Sequence, residues 1–185
     1  VESYLIDSAG NQSENNIVDF TIDKANIFVS IKGKDSNKGS QLHPFKTIER
    51  AIEYANNSNR KIINLTEGEF IIRNLLEITD EITIIGGYNL NKWIKGRGET
   101  IIAVSKNYSI SNPLFIVKSS KITLENISFS NSNLYHPLFT LIDGNIIFNN
   151  TNFLHNNKFA SGFLELNKSE ISLNNSELFF EDLNG

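Results

Sequence analysis

The sequence predicts an all-β chain wound as a solenoid of stacked parallel coils. Three observations carry that reading: a repeat of 24 to 25 residues, apolar side chains at every second position inside it, and an asparagine at one fixed place in each copy. Self-similarity at such a period marks architectures in which each unit is unstable alone and buries its apolar side against the next.

The repeat emerges when residues 114–129, 138–153 and 163–178 are aligned. Phe115, Phe139 and Leu164 share a column, as do Val117, Leu141 and Leu166. Ile122, Ile146 and Ile171 follow, then Leu124, Phe148 and Leu173. Asn126, Asn150 and Asn175 come next, and Phe129, Phe153 and Leu178 close the set. The offset is 24 residues in the first step and 25 in the second, which puts one inserted residue between Phe153 and Leu164.

Within a copy, Phe115-x-Val117, Ile122-x-Leu124 and Ile127-x-Phe129 show strand periodicity in three short runs. Each run is too short to persist alone, so coils must stack about 4.8 Å apart with inward side chains in continuous columns. The asparagines fall where the chain turns between two strands. Asparagine tolerates the left-handed backbone conformation and bonds nearby backbone. Asn126, Asn150 and Asn175 are therefore expected to form an amide ladder along a buried turn. A leucine-rich repeat has a similar period but one more residue before its asparagine. Here every copy reads apolar-x-apolar-x-Asn, which together with three strands per coil points to a parallel β-helix.

Upstream, Ile27, Val29 and Ile31 alternate as a strand, and residues 33–40 are a loop by composition. Thr47 is placed to cap a helix over about residues 47–57, with Ile48, Ala51, Ile52 and Ala55 on one face. Ile63-x-Leu65 restarts the strand period, with Glu67, Gly68 and Glu69 at a turn. In the next coil Ile82 and Ile84 match Ile122 and Leu124, Gly86 takes the asparagine's place, and Gly87 adds backbone freedom. The loop onward to Thr100 widens one side.

Composition excludes several functions. The 39% hydrophobic content is enough for a core, while a net charge of −4 argues against a nucleic-acid or phosphate binder with a basic face. There is no cysteine, which removes disulfides, thiolate metal sites and cysteine nucleophiles. No apolar run is long enough to span a membrane as a helix. The chain opens at Val1 without a signal-peptide pattern, and reads as a segment of a longer protein.

Residues 27–70 closely resemble the opening of the pectin-lyase-like right-handed β-helix superfamily. The matching positions are Gly33, Asp35, Asn37, Gly39, Pro44, Phe45, Thr47, Ile48, Ala51, Ile52, Ala55, Ile63, Leu65, Gly68 and Phe70. The resemblance implies a right-handed parallel β-helix over residues 27–185, with a helix covering its open N-terminal end. It also implies a secreted or cell-surface bacterial protein. Residues 1–26 differ, reading as two alternating strands about a polar turn. Asp7, Ala9, Gly10, Asn11, Phe20, Thr21, Ile22 and Asp23 are similar to the last hairpin of a bacterial immunoglobulin-like repeat; the alternative is a pair of extra strands packed on the β-helix.

Enzymes of that superfamily carry recognisable sets, and this chain lacks their strings. Asn-x-Asp, Asp-Asp, Gly-His-Gly, Arg-x-Lys and Asp-Pro-His-Asp are all absent. Asp80, Asp143 and Asp182 are too widely spaced for an aspartate cluster, and Glu67 and Glu69 read as solvated turn charges. His43 and His136 precede prolines, and His155 lies in a polar loop. No catalytic residue and no metal set is therefore assigned. Asp35 and Asn37 have the oxygens to hold Ca²⁺, but a hydrogen-bonded loop is the simpler reading. Tyr88, Trp93, Tyr108 and Tyr135 fall in or near turns, and Trp93 with Tyr88 is the expected contact if a glycan binds.

The expected function is thus a non-catalytic adhesive, structural or weakly glycan-binding segment, needing no cofactor and no nucleic-acid partner. The rival is the first part of a polysaccharide lyase or hydrolase whose active site lies on later coils.

Overall fold

The structure, a computed structural model, describes residues 25–105, 113–130, 137–154 and 164–176. Its elements run β1 (Asn26–Val29), α1 (Ile48–Asn56), β2 (Ile62–Thr66), β3 (Gly68–Ile72), β4 (Leu76–Ile78), β5 (Ile82–Tyr88), β6 (Thr100–Val104) and β7 (Phe115–Lys118). They continue with β8 (Lys121–Glu125), β9 (Ser128–Ser130), β10 (Phe139–Ile142), β11 (Asn145–Asn149), β12 (Asn152–Leu154), β13 (Leu164–Asn167) and β14 (Glu170–Asn174). The expected hairpin at residues 1–26 lies almost wholly outside the described residues.

The strands form three parallel sheets. Their orders are β1-β2-β5-β8-β11-β14, β13-β10-β7-β4 and β12-β9-β6-β3. From β2 to β13 each coil gives one strand to each sheet, while β1 and β14 extend the first sheet alone among the described residues, so the chain is a parallel β-helix. The register is the one the repeat requires: Phe115 faces Phe139, which faces Leu164, and Ile122 faces Ile146, which faces Ile171. Inside, Phe115 and Phe139 stack with centroids 4.8 Å apart, and Phe129 and Phe153 stack at 5.3 Å. The two stacks meet edge to face, as between Phe129 and Phe139, an arrangement that adds to area burial.

The N-terminal end is closed by α1. Thr47 caps it, its hydroxyl accepting from Arg50 N, and Ile48, Ala51, Ile52 and Ala55 are all buried. The outer edge of β1 is covered by its own following loop. Phe28 N donates to Gly39 O, and Phe45 N donates to Phe28 O. That cover removes an edge open to pairing. It needs Gly33, because a Cβ there would lie 2.1 Å from Phe45 O.

Two expectations change. Strand β1 ends at Val29, and Ile31 is 38% exposed, because the chain turns just after Ser30, whose carbonyl accepts from Gly33 N. At Gly86 the backbone does not take the left-handed conformation; Gly87 does, with φ 86°. The cause is a bulge, with Asn64 pairing Ile85 but Thr66 pairing Tyr88. Gly86 is required for a different reason: its Cβ would sit 2.3 Å from the carbonyl oxygen of Asn126.

Candidate functional site

The bulge in β5 launches the wide loop. Tyr88 and Lys95 form an antiparallel bridge, Asn89 N donates to Ile94 O, and Gly96 N donates to Gly87 O. The Asn89 side chain caps the tip, accepting from Lys92 N at 2.7 Å. Glu67 braces the base, its carboxylate accepting from Leu90 N. Thr100 anchors the return, donating to Thr66 O and accepting from Gly87 N.

Between this loop and the coils lies a groove of about 470 Å³. Gly86, Gly87 and residues 95–100 line one side, and Asn126, Ile127, Ser128, Asn150 and Asn152 the other. Within it Ser128 of β9 and Asn152 of β12 lie in register. Its charges are largely committed. Glu99 accepts from the Ser128 hydroxyl at 2.5 Å, and Lys95 pairs with Glu125 at 2.5 Å. Arg97 enters no ion pair among the described residues. The arrangement offers amides, a hydroxyl and one uncommitted guanidinium, which suits recognition by hydrogen bonds.

Two of the three aligned asparagines, Asn126 and Asn150, line the groove. Asn126, Asn150 and Asn175 have φ of 54°, 48° and 48°, so each occupies the left-handed conformation at the turn. Asn150 Nδ2 donates to Asn126 Oδ1 at 2.6 Å. At the next coil the amide bond runs instead between Asn174 and Asn149, at 2.8 Å. Asn150 and Asn175 are exposed, so the turn is not the buried one expected. Backbone conformation, more than burial of amides, explains asparagine there. A second left-handed column at Ser119, Asp143 and Lys168 leaves no mark in the sequence, because its residue types vary while its φ values of 47°, 50° and 50° do not.

The other candidates are placed as follows. Asp35 Oδ1 accepts from Lys46 N and Thr47 N, each at 2.9 Å, and Oδ2 accepts from the Thr47 hydroxyl. Asn37 Nδ2 donates to Pro44 O. These groups fasten the loop to the start of α1. Asp35→Ala is expected to cost about 1–2 kcal/mol in a denaturant melt. Millimolar Ca²⁺ is expected to leave the wild-type Tm unchanged; a calcium-dependent rise would assign those oxygens to a metal. No group of three His, Cys, Asp or Glu gathers among the described residues. Asp80 is held by Lys61 at 2.5 Å, which keeps its carboxyl below the usual range. Trp93 and Tyr88 do not line the groove: Trp93 packs edge-on to Phe28 at 4.9 Å and donates to Gln41 O. Tyr108, Tyr135, His136, His155 and Asp182 lie outside the described residues.

Fold and groove together define a parallel β-helix with a wide lateral loop. Within that class the chain belongs to the family described as "Protein of unknown function (DUF1565)", which matches residues 31–126, just over half of it. A solved structure of a rhamnogalacturonan lyase is similar, with a TM-score of 0.50 and 12% identity over 69% of this chain. The likeness is one of fold, and the chain spans only 35% of that structure. No curated protein matches.

Proposed function

We propose that this chain is a non-catalytic segment of a secreted or cell-surface bacterial β-helix protein, and that its groove holds polysaccharide weakly. One observation carries the proposal. The groove presents Asn150, Asn152 and Arg97 as hydrogen-bonding groups, while the carboxylates beside it, Glu99 and Glu125, are tied to Ser128 and Lys95. A committed carboxylate is a poor general base, whereas amides and a guanidinium match hydroxyl- and carboxylate-bearing sugars. The lyase of similar fold acts on a polysaccharide by its name, which supports the ligand class.

A second reading makes the chain the first part of a polysaccharide lyase or hydrolase with its active site on later coils. The short span against the lyase favours it.

Titration with pectic oligosaccharides tests the first reading. A Kd on the order of 0.1–1 mM is expected, equivalent to about 4–5.5 kcal/mol. Arg97→Ala and Asn152→Ala should each weaken it about fivefold, the worth of one hydrogen bond. Unchanged affinity in both variants, or shortening of the oligosaccharide by the isolated chain, would overturn it.

A further inference from the structure

The wide loop and the β1 loop together expose an apolar surface away from the groove lining. Trp93 lies between Phe28 and Tyr88, with centroids at 4.9 and 6.3 Å, and its indole N–H reaches Gln41 O. The next residues outward are Ile94, 59% exposed, and Leu42, 86% exposed. Trp93 also holds φ 54°, in the left-handed region that bulky residues seldom occupy. The rim carries basic residues: Lys34 and Lys38 precede Leu42, Lys92 precedes Trp93, and all three are exposed, whereas Lys95 is paired with Glu125 on the groove side.

We infer that this surface is the seat of the chain's own residues 1–24. Three observations select that occupant. The segment ends two residues before Asn26, where β1 begins, and Phe28 of that strand is part of the surface. Such a tether raises the local concentration of the segment without any further contact. The segment alternates apolar residues at Val18, Phe20 and Ile22, with Tyr4, Leu5 and Ile6 before them. Its charge is complementary, because Glu2, Asp7, Glu14, Asp19 and Asp23 precede its single basic residue, Lys24. Aliphatic Leu42 and Ile94 beside the indole fit an apolar polypeptide better than a sugar, which stacks on flat rings set among polar groups.

The full chain provides its own probe, since Trp93 is the single tryptophan. In Phe20→Ser/Ile22→Ser the Trp93 emission is expected to move to longer wavelength and its quenching by acrylamide to increase, with far-ultraviolet dichroism unchanged. Leu42→Asp, at a site too exposed to harm folding, is expected to speed tryptic cleavage after Lys24. Emission and cleavage rates equal to wild type in both variants would overturn the inference. So would an emission that shifts with protein concentration, which assigns the surface to a second copy. Emission altered by oligosaccharide while residues 1–24 remain cleavable would assign it to a glycan instead.

Discussion

Phe139→Ala is expected to destabilise the chain by about 3–5 kcal/mol, the largest effect of any single truncation considered. Phe139 is fully buried at the centre of the aromatic core. Its ring lies 4.8 Å from Phe115, 5.5 Å from Phe148 and 5.6 Å from Phe129. Removing it leaves a cavity between coils whose spacing is fixed by backbone ladders on three sheets, so the site cannot collapse. A matched pair supplies the control. Leu141 and Leu166 are in register, but Leu141 is fully buried and Leu166 is 46% exposed. Leu141→Ala should cost about 2–4 kcal/mol and Leu166→Ala under about 1 kcal/mol. Equal losses in a denaturant melt would contradict the stack.

Asn150→Leu should cost about 1.5–3.5 kcal/mol. Leucine at φ 48° carries the penalty of the left-handed region, of order 1–2 kcal/mol. Loss of the bond to Asn126 adds about 0.5–1.5 kcal/mol. Asn150→Gly separates the two terms, because glycine accepts the backbone and loses only the amide. It should cost about 1 kcal/mol or less. Asn149→Ala, which removes only the exposed bond to Asn174, should stay within about 0.5 kcal/mol. If Asn150→Gly proves as damaging as Asn150→Leu, the amide and not the backbone is the reason for asparagine.

How much the sequence showed depended on range. Columns such as Ile122, Ile146 and Ile171 were legible because one offset places every member of a coil above its equivalent. The helix was legible from Thr47 and four apolar positions at helical spacing. The left-handed turn was legible at Asn126, Asn150 and Asn175, where residue type repeats. It was invisible at Ser119, Asp143 and Lys168, where only the backbone does. Gly86 was placed in the right column but given the wrong task, since a bulge in β5 itself passes the left-handed conformation to Gly87. The groove was not legible at all. Its pairs join residues about thirty apart, Lys95 with Glu125 and Glu99 with Ser128, across a loop whose path no periodicity fixes. Trp93 drew attention as an aromatic near a turn, yet the structure points its ring at Phe28 and away from the groove lining.

The stacking of coils in register underlies the groove, the turns and both stability predictions. Nuclear Overhauser contacts among Phe115, Phe139 and Leu164 in the labelled full-length chain test it most directly. The account expects strong cross-peaks from Phe139 to both of the others and none between Phe115 and Leu164, which lie two coils apart. A direct Phe115 to Leu164 contact, or a Phe139 ring that touches neither, would show a different winding and would remove the groove with it.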